Sequence, residues 1–351
     1  MKRIISRRDV LRGTAITAGG LVAGCGSGND GGQPVKTAPS YGEIGVSESW
    51  APGPNPGVVR DLSPGTTTIR LGASLSIPAG KPIGDSIAAF RKQGFTATVL
   101  GPNPWVDAPE SRIRELRDAL AEHDVVIFEV GGYTNMIHPD PATREKNLTA
   151  LARCIEAADR VGCPMVGTIS GSCDPVNFFN VHPNNWTEET WRLTVESVRR
   201  VLKDTAGMKA AIGMEAQVTT NIDGPASHRR LIDDVGDSRC AVNLDPVNMI
   251  SLAIYYHTTE LINECFDSLG ESILGCHAKD TYIWPDQQTV HVQEVCPGRG
   301  VMDYETYLVR MSRLKWPRAI FPEHIPADQY SEAHAYIRSV AEKVGVIING
   351  S

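Results

Sequence analysis

Ala210-Ala-Ile-Gly-Met214-Glu215, Cys240-Ala-Val-Asn-Leu244-Asp245, Ser272-Ile-Leu-Gly-Cys276-His277 and Arg318-Ala-Ile-Phe-Pro322-Glu323 are four short apolar runs, each delivering a residue that binds hard or borderline divalent metals. One carboxylate or imidazole at the end of a buried strand is unremarkable, and any single one can cap a helix or pair with an arginine. Four in succession, with helical segments between them, describe parallel strands whose ends meet at one rim. In a closed barrel that rim is where the chemistry sits.

Working outward, strand and helix signals alternate eight times from about residue 67. Strands are expected at 69–75, 96–100, 125–130 and 165–170 ahead of the four quoted runs. Helices are expected at 84–92, 110–122, 142–160, 188–203, 227–235, 259–269, 304–314 and 329–344. Ile113, Leu116 and Leu120 recur at the spacing of a core-facing helix stripe, and Thr187 is an N-cap candidate for the helix that begins at Glu188. The strands show little polar alternation, as parallel strands covered on both faces require. Eight such units over about 280 residues fit an α/β fold of the (β/α)8 TIM-barrel type, one domain over residues 67–348. A doubly wound sheet also alternates in this way, but it gathers ligands only at its switch point.

The N-terminal residues read as a targeting device and stay outside the fold. Ser6-Arg7-Arg8-Asp9-Val10-Leu11 resembles a twin-arginine export signal, and Leu21-Val22-Ala23-Gly24-Cys25 resembles a bacterial lipobox with Cys25 as the acylated residue. The alternatives are an ordinary secretory leader and an unmodified thiol. Residues 1–25 are therefore expected to be a signal peptide. The Gly-, Ser- and Pro-rich residues 26–66 should form a flexible linker or extended surface segment. Together they imply a periplasmic or cell-envelope protein whose only membrane contact is a lipid anchor. Seven cysteines follow Cys25, with no C-x-x-C pair; Cys173 and Cys296 fall in rim loops, and a disulfide between them is one pairing to check.

The chain has 351 residues with a formal charge of −7. Beyond the first few residues it lacks the basic runs that grip a nucleic-acid backbone. The partner expected is a small molecule.

Met214-Glu215, Asn243-Leu-Asp245-Pro-Val-Asn248, His277-Ala-Lys279-Asp280, Pro297-Gly-Arg-Gly300 with Asp303, and Pro322-Glu323-His324 carry a resemblance to a known family. Over residues 67–348 the chain resembles the sugar isomerase/epimerase superfamily of xylose isomerase-like TIM barrels, the apurinic-endonuclease type 2 family. The resemblance implies one divalent ion held by Glu215, Asp245, His277 and Glu323. Mn2+ is the first expectation, with Mg2+, Co2+ or Zn2+ as alternatives. It also implies Glu215 and Glu323 as the base and acid of an enediolate reaction. Lys279 is a candidate to meet a substrate oxygen, or else to pair with Asp280. Asn248 and Arg299 are further substrate-binding candidates, against a backbone-satisfying amide and a solvated turn. Glu129, at the end of the third strand, serves either behind the ligands or as a charge facing the helices. His138, His182, His291 and His324 are expected not to ligate.

Asn248 stands where many epimerases of this group have histidine, so a simple free ketose is not assumed. Thr289-Val290-His291 lacks the aspartate of the endonuclease branch, so DNA repair is disfavoured. The expected function is metal-dependent isomerisation or epimerisation of a non-phosphorylated sugar or keto-sugar. A lyase that β-eliminates from 3-keto-glycosides is the alternative. A sugar-binding protein using Trp105, Tyr133, Trp186 or Trp284 as platforms is a third reading. A homo-oligomer is compatible with all three.

Overall fold

The structure, a computed structural model, describes residues 55, 57–77, 82–284 and 288–350. The expected export signal, Cys25 and residues 26–54 of the expected linker lie outside the described residues. Eight parallel strands form the barrel: β1 (Ile69–Ser74), β2 (Ala97–Leu100), β3 (Val126–Gly131), β4 (Met165–Thr168), β5 (Ala211–Met214), β6 (Cys240–Leu244), β7 (Ile273–Ala278) and β10 (Arg318–Pro322). Each pairs with the next, and β10 closes the ring on β1, with Ile320 opposite Leu71. The helices are α1 (Ile83–Lys92), α2 (Glu110–Glu122), α3 (Pro141–Val161), α4 (Glu188–Asp204), α5 (Pro225–Val235), α6 (Thr258–Leu269), α7 (Tyr304–Ser312) and α8 (Tyr330–Val344).

Local chemistry sets the element ends where expected. The Thr187 hydroxyl accepts from the Thr190 N–H at 3.2 Å and caps α4, a contact typically worth about 1 kcal/mol. Asp140 does the same for α3, with Pro141 in its first turn. Ile113, Leu116 and Leu120 are buried against the barrel wall. Among the described residues no helix is long and apolar enough to cross a membrane.

Two strand features lie outside the expected pattern. A two-stranded antiparallel hairpin, β8 (Asp280–Ile283) with β9 (Val292–Val295), is inserted between β7 and α7, and a short β11 (Ile348–Asn349) adds beside β1. The end of the expected linker is docked: Arg60 Nη1 lies 3.1 Å from Asp303 Oδ1 and 3.2 Å from Glu305 Oε2, and Gly65 N donates to Ser312 Oγ. A Cβ at Gly65 would stand 2.1 Å from the Ser312 carbonyl oxygen, so only glycine permits this approach. The Cys173–Cys296 pairing is not formed: both are free thiols, as are the other five described cysteines. Burial pushes the Cys154 thiol up to about 11 and Cys240 up to about 12, which keeps both in the less nucleophilic thiol form near neutral pH.

The barrel interior holds a layer of Phe128, Met165 and Phe321 set among Ala97, Ala211, Ala241 and Ala319. Small residues opposite make the room. A Cβ at Gly275 would meet Met165 Cε at 2.5 Å, and one at Gly72 would meet Phe128 at 3.2 Å. Above this floor the interior turns polar. The change depends on a register shift in β3, where Thr98 pairs with Ile127 but Val99 pairs with Glu129. The extra residue lets Phe128 and Glu129 both serve the interior, which strict alternation forbids.

Two histidines are buried as neutral groups. His228 Nε2 lies 3.0 Å from the Met214 carbonyl and His334 Nε2 lies 2.9 Å from the Gly72 carbonyl. Burial lowers both pKa values to about 4. The unfolded chain takes up these protons below about pH 6.5 while the folded chain does not. Stability is therefore lost as pH falls from about 6.5 to about 4, at up to about 1.4 kcal/mol per pH unit for each histidine. Thermal melts at pH 7 and 4.5 are expected to show a smaller acid-induced fall in Tm for His334→Gln than for the native chain. An equal fall in the two proteins would show that His334 does not contribute.

Candidate functional site

Glu215, Asp245, His277 and Glu323 leave the C-terminal ends of β5, β6, β7 and β10, and one ligating atom from each falls within 4.8 Å of all the others. Ligands at about 2.0–2.2 Å from one ion stand no more than about 4.4 Å apart, so the spread is close to that of a single-ion site. His277 Nδ1 lies 3.1 Å from Glu323 Oε2, 3.7 Å from Glu215 Oε2 and 3.7 Å from Asp245 Oδ2. Asp245 Oδ1 accepts from the Val247 and Asn248 N–H groups, which fixes the carboxylate and starts the following 3-10 turn.

Three buried atoms test the fit. Asp245 Oδ2, His277 Nδ1 and Glu323 Oε2 have no well-aligned hydrogen-bond partner among the described residues. The Lys279 ammonium does lie 2.7 Å from the first carboxylate and 2.8 Å from the second, as an ion pair. Orphaned polar atoms in an interior are costly, and these three converge on one point. Three carboxylates with one imidazole suit Mn2+, Mg2+ or a similar divalent ion. The residues fit the group.

The tautomer of His277 follows from its surroundings. Nε2 faces the buried Glu129 carboxylate at 3.0 Å, so that nitrogen donates and Nδ1 is the one turned to the cluster. Burial works against an imidazolium, but the Glu323 and Glu215 carboxylates raise its pKa well above the usual value, so without an ion Nδ1 also holds a proton, which a bound ion would displace. Glu129 Oε2 also accepts from Asn243 Nδ2 at 3.0 Å, and Oε1 lies 3.3 Å from the Tyr133 hydroxyl. A Cβ at Gly167 would sit 2.2 Å from Glu129 Oε1, so β4 must carry glycine there. Of the two readings of Glu129, the structure places it behind the ligands.

Glu215 is held at both oxygens. Tyr133 donates its hydroxyl to Oε2 at 2.6 Å, and Asn248 Nδ2 donates to Oε1. Burial, reinforced by the charges of Glu323 and Asp245 and opposed by those of His277 and Lys279, pushes Glu215 up to about 8. Burial would also raise Glu323, but His277 and Lys279 beside it hold its carboxyl well below the usual range. Desolvation works against the Lys279 charge, and the Asp245 and Glu323 carboxylates more than offset it. Burial and the neighbouring carboxylates keep the Tyr133 phenol protonated, as a donor must be.

Other expected residues fall into place or out of it. Lys279 points into the acidic cluster and makes no pair with Asp280, whose carboxylate instead accepts from the Thr281, Gly298 and Met302 N–H groups. The Arg299 guanidinium forks onto Glu332 at 2.8 and 2.7 Å. The Pro297–Gly300 turn is instead a clasp, with Gly298 at φ +91° under the Tyr336 ring and Gly300 against Asp280. None of His138, His182, His291 or His324 joins the group of four. His324 has a left-handed backbone, φ 57°, and its Nδ1 meets Glu294 Oε2 at 2.8 Å. Of the proposed aromatic platforms, Trp105 is buried in the core. Trp186 is exposed, and Trp284 donates to Gln293.

Comparison with known proteins follows the same lines. No curated protein sequence matches this chain. Among solved structures, a xylose isomerase-like TIM barrel protein from Mycobacterium smegmatis in complex with magnesium is similar at 18% identity and TM-score 0.57, over 80% of this chain and 97% of that one. A 3-keto-D-glucoside 4-epimerase from E. coli is similar at 15% identity and TM-score 0.55, over 78% and 99%. A D-psicose 3-epimerase from Clostridium cellulolyticum is similar at 14% identity and TM-score 0.56, over 79% and 100%. At these identities the likeness is one of fold. The sequence profile of xylose isomerase-like TIM barrels matches residues 87–340, and with the closed barrel and the four strand-end ligands already in view, the chain belongs to the xylose isomerase-like TIM barrel family.

Proposed function

We propose that the protein is a divalent-metal-dependent carbohydrate isomerase or epimerase that removes a proton next to a carbonyl and returns it. The observation that carries this is the placement of two glutamates, Glu215 on β5 and Glu323 on β10, in one cluster with Asp245 and His277. When bound there, a divalent ion, Mn2+ by first expectation, would polarise a substrate carbonyl and hold its vicinal oxygen.

The chain's own groups supply the rest. Glu215 takes the proton, its carboxylate aimed by Tyr133 and Asn248. The raised pKa of Glu215 would come back down with a cation held there, leaving the carboxylate that a base needs. Glu323, an anion in the metal-free cluster, returns a proton only after taking one up during turnover, and the Lys279 ammonium steadies the negative charge that develops on oxygen. Asn248 is bonded to both Glu215 and Lys279 and is placed to read a substrate hydroxyl. Glu129, Glu215, Asp245 and Glu323 against Lys279 make a site hostile to a phosphate dianion, which supports a non-phosphorylated sugar or keto-sugar. A binding protein has no need of an aimed acid–base pair, and that reading has the weaker support.

Incubation of the Mn2+-loaded protein in D2O with free ketoses and 3-keto-glycosides, followed by NMR, tests the proposal. Solvent deuterium is expected at the carbon beside the carbonyl, with loss of exchange on chelation. An epimerised product supports the epimerase; an unsaturated product with a released substituent would replace it by β-elimination. A metal-loaded protein that exchanges nothing would refute both. We further propose, on the leader sequence alone, export by the twin-arginine route and acylation at Cys25. The intact mass of protein from the membrane fraction checks this, and an unmodified Cys25 would exclude it.

A further inference from the structure

The loops that follow β3 and β4 form an open cleft of about 250 Å3, lined among others by Tyr133, Thr134, Asn147, Asp174, Val176 and Phe178. Tyr133 connects it to the chemistry, since the same residue donates to Glu215 Oε2 at 2.6 Å. The cavity is built beforehand. Asp174 Oδ1 accepts from the Val176 and Asn177 N–H groups at 2.7 and 2.9 Å, and Asn135 ties the two loops together through Ser172. Phe178 is braced by Phe179, their ring centroids 4.3 Å apart.

The lining is amphipathic. Tyr133, Val176 and Phe178 offer apolar surface. Thr134 Oγ1 and Asn147 Oδ1 have no hydrogen-bond partner among the described residues, while the Asp174 carboxylate is already occupied by loop N–H groups. Ring faces beside uncommitted hydroxyl and amide groups suit a ring that is apolar on its faces and hydroxylated at its edge. The volume is just below the roughly 300–1,000 Å3 of pockets for larger ligands, so it takes a single ring. Preformed walls limit the ordering cost of filling it.

We propose that this cavity is a second subsite, which holds one sugar-sized ring of a glycoside while the reacting ring lies at Glu215 and Glu323. The substrate class is then a two-ring glycoside in preference to a free monosaccharide. This rests on the carbohydrate reading above.

Two measurements on the Mn2+-loaded protein test it. In the first, kcat/KM is compared for a 3-keto disaccharide and the matching methyl 3-keto-glycoside. The native protein is expected to favour the disaccharide at least about tenfold, and Phe178→Ala to lose about tenfold on the disaccharide alone, as one lost ring contact implies. Val176→Trp, at a position 90% exposed, narrows the cavity from its edge. It should produce the same selective loss if Phe178→Ala folds poorly. In the second, saturation-transfer NMR follows cellobiose, maltose and lactose, expected to contact the native protein and to lose contact in Val176→Trp. Equal kcat/KM for the two substrates, equal losses on both in the variants, or no saturation transfer to any disaccharide would overturn the subsite. Disaccharide contact that Val176→Trp abolishes, with no deuterium exchange on any keto-sugar, would support the subsite and remove the catalytic reading.

Discussion

Glu215→Gln is expected to reduce solvent-deuterium exchange by at least about a thousandfold, within the range that positioned acid–base groups contribute. The substitution keeps the size of the side chain in a fully buried position. It replaces a carboxylate that can accept the proton with an amide too weakly basic to do so, and it removes the carboxylate charge available 3.7 Å from His277. It also places an amide where Tyr133 and Asn248 both donate, so one of the two contacts must turn or break. Metal affinity should fall as well, because one anionic ligand is lost. The two effects separate by repeating the exchange at Mn2+ concentrations that saturate the variant, with occupancy read by atomic absorption. A deficit that persists at full occupancy assigns the proton transfer to Glu215. Recovery to within tenfold of the native rate would reduce Glu215 to a ligand and move the base to another group.

Much of this site was legible in the chain, and the reason is geometric. A residue just past an apolar run in a parallel strand emerges at the C-terminal rim, and four such positions need only barrel closure to meet. Glu215, Asp245, His277 and Glu323 could therefore be picked out before any distance was known. Glu129 could not be oriented, because its direction depends on a register shift against β2 that no pattern of apolar residues announces. Tyr133 looked like a sugar platform; it sits in a loop, and only the fold brings its hydroxyl to Glu215. Arg299 shows a different gap. A Gly-flanked arginine beside the rim reads as a ligand-binding turn, yet its glycines serve close packing on Tyr336 and Asp280, and its charge goes to Glu332. The hairpin of β8 and β9 was missed because Val292, Gln293 and Glu294 are exposed, so the run lacks the apolar signature of a buried strand.

The groups behind the ligands give the second large effect. Glu129→Gln is expected to weaken divalent-metal binding by about 10–100-fold while leaving the four first-contact residues in place. The Glu129 carboxylate accepts from His277 Nε2 and from Asn243 Nδ2, both at 3.0 Å, in a region closed to water. As an anion it makes the imidazole a better donor of the Nδ1 lone pair and locks the ring; as an amide it can do only the second. Titration with Mn2+ followed by calorimetry reads this without any assumption about substrate, and exchange activity should return at saturating metal. Gly167→Ala reaches the same group from outside. A Cβ 2.2 Å from Glu129 Oε1 and 2.6 Å from its Cδ must displace the carboxylate, with a stability cost of about 1–3 kcal/mol as for other overpacked interiors. Both variants should then lose metal affinity, but only Gly167→Ala should also lower the Tm of the metal-free protein by several degrees. If Glu129→Gln binds Mn2+ within twofold of the native protein, the contact with His277 is structural support alone, and the affinity of the site resides entirely in the residues at the rim.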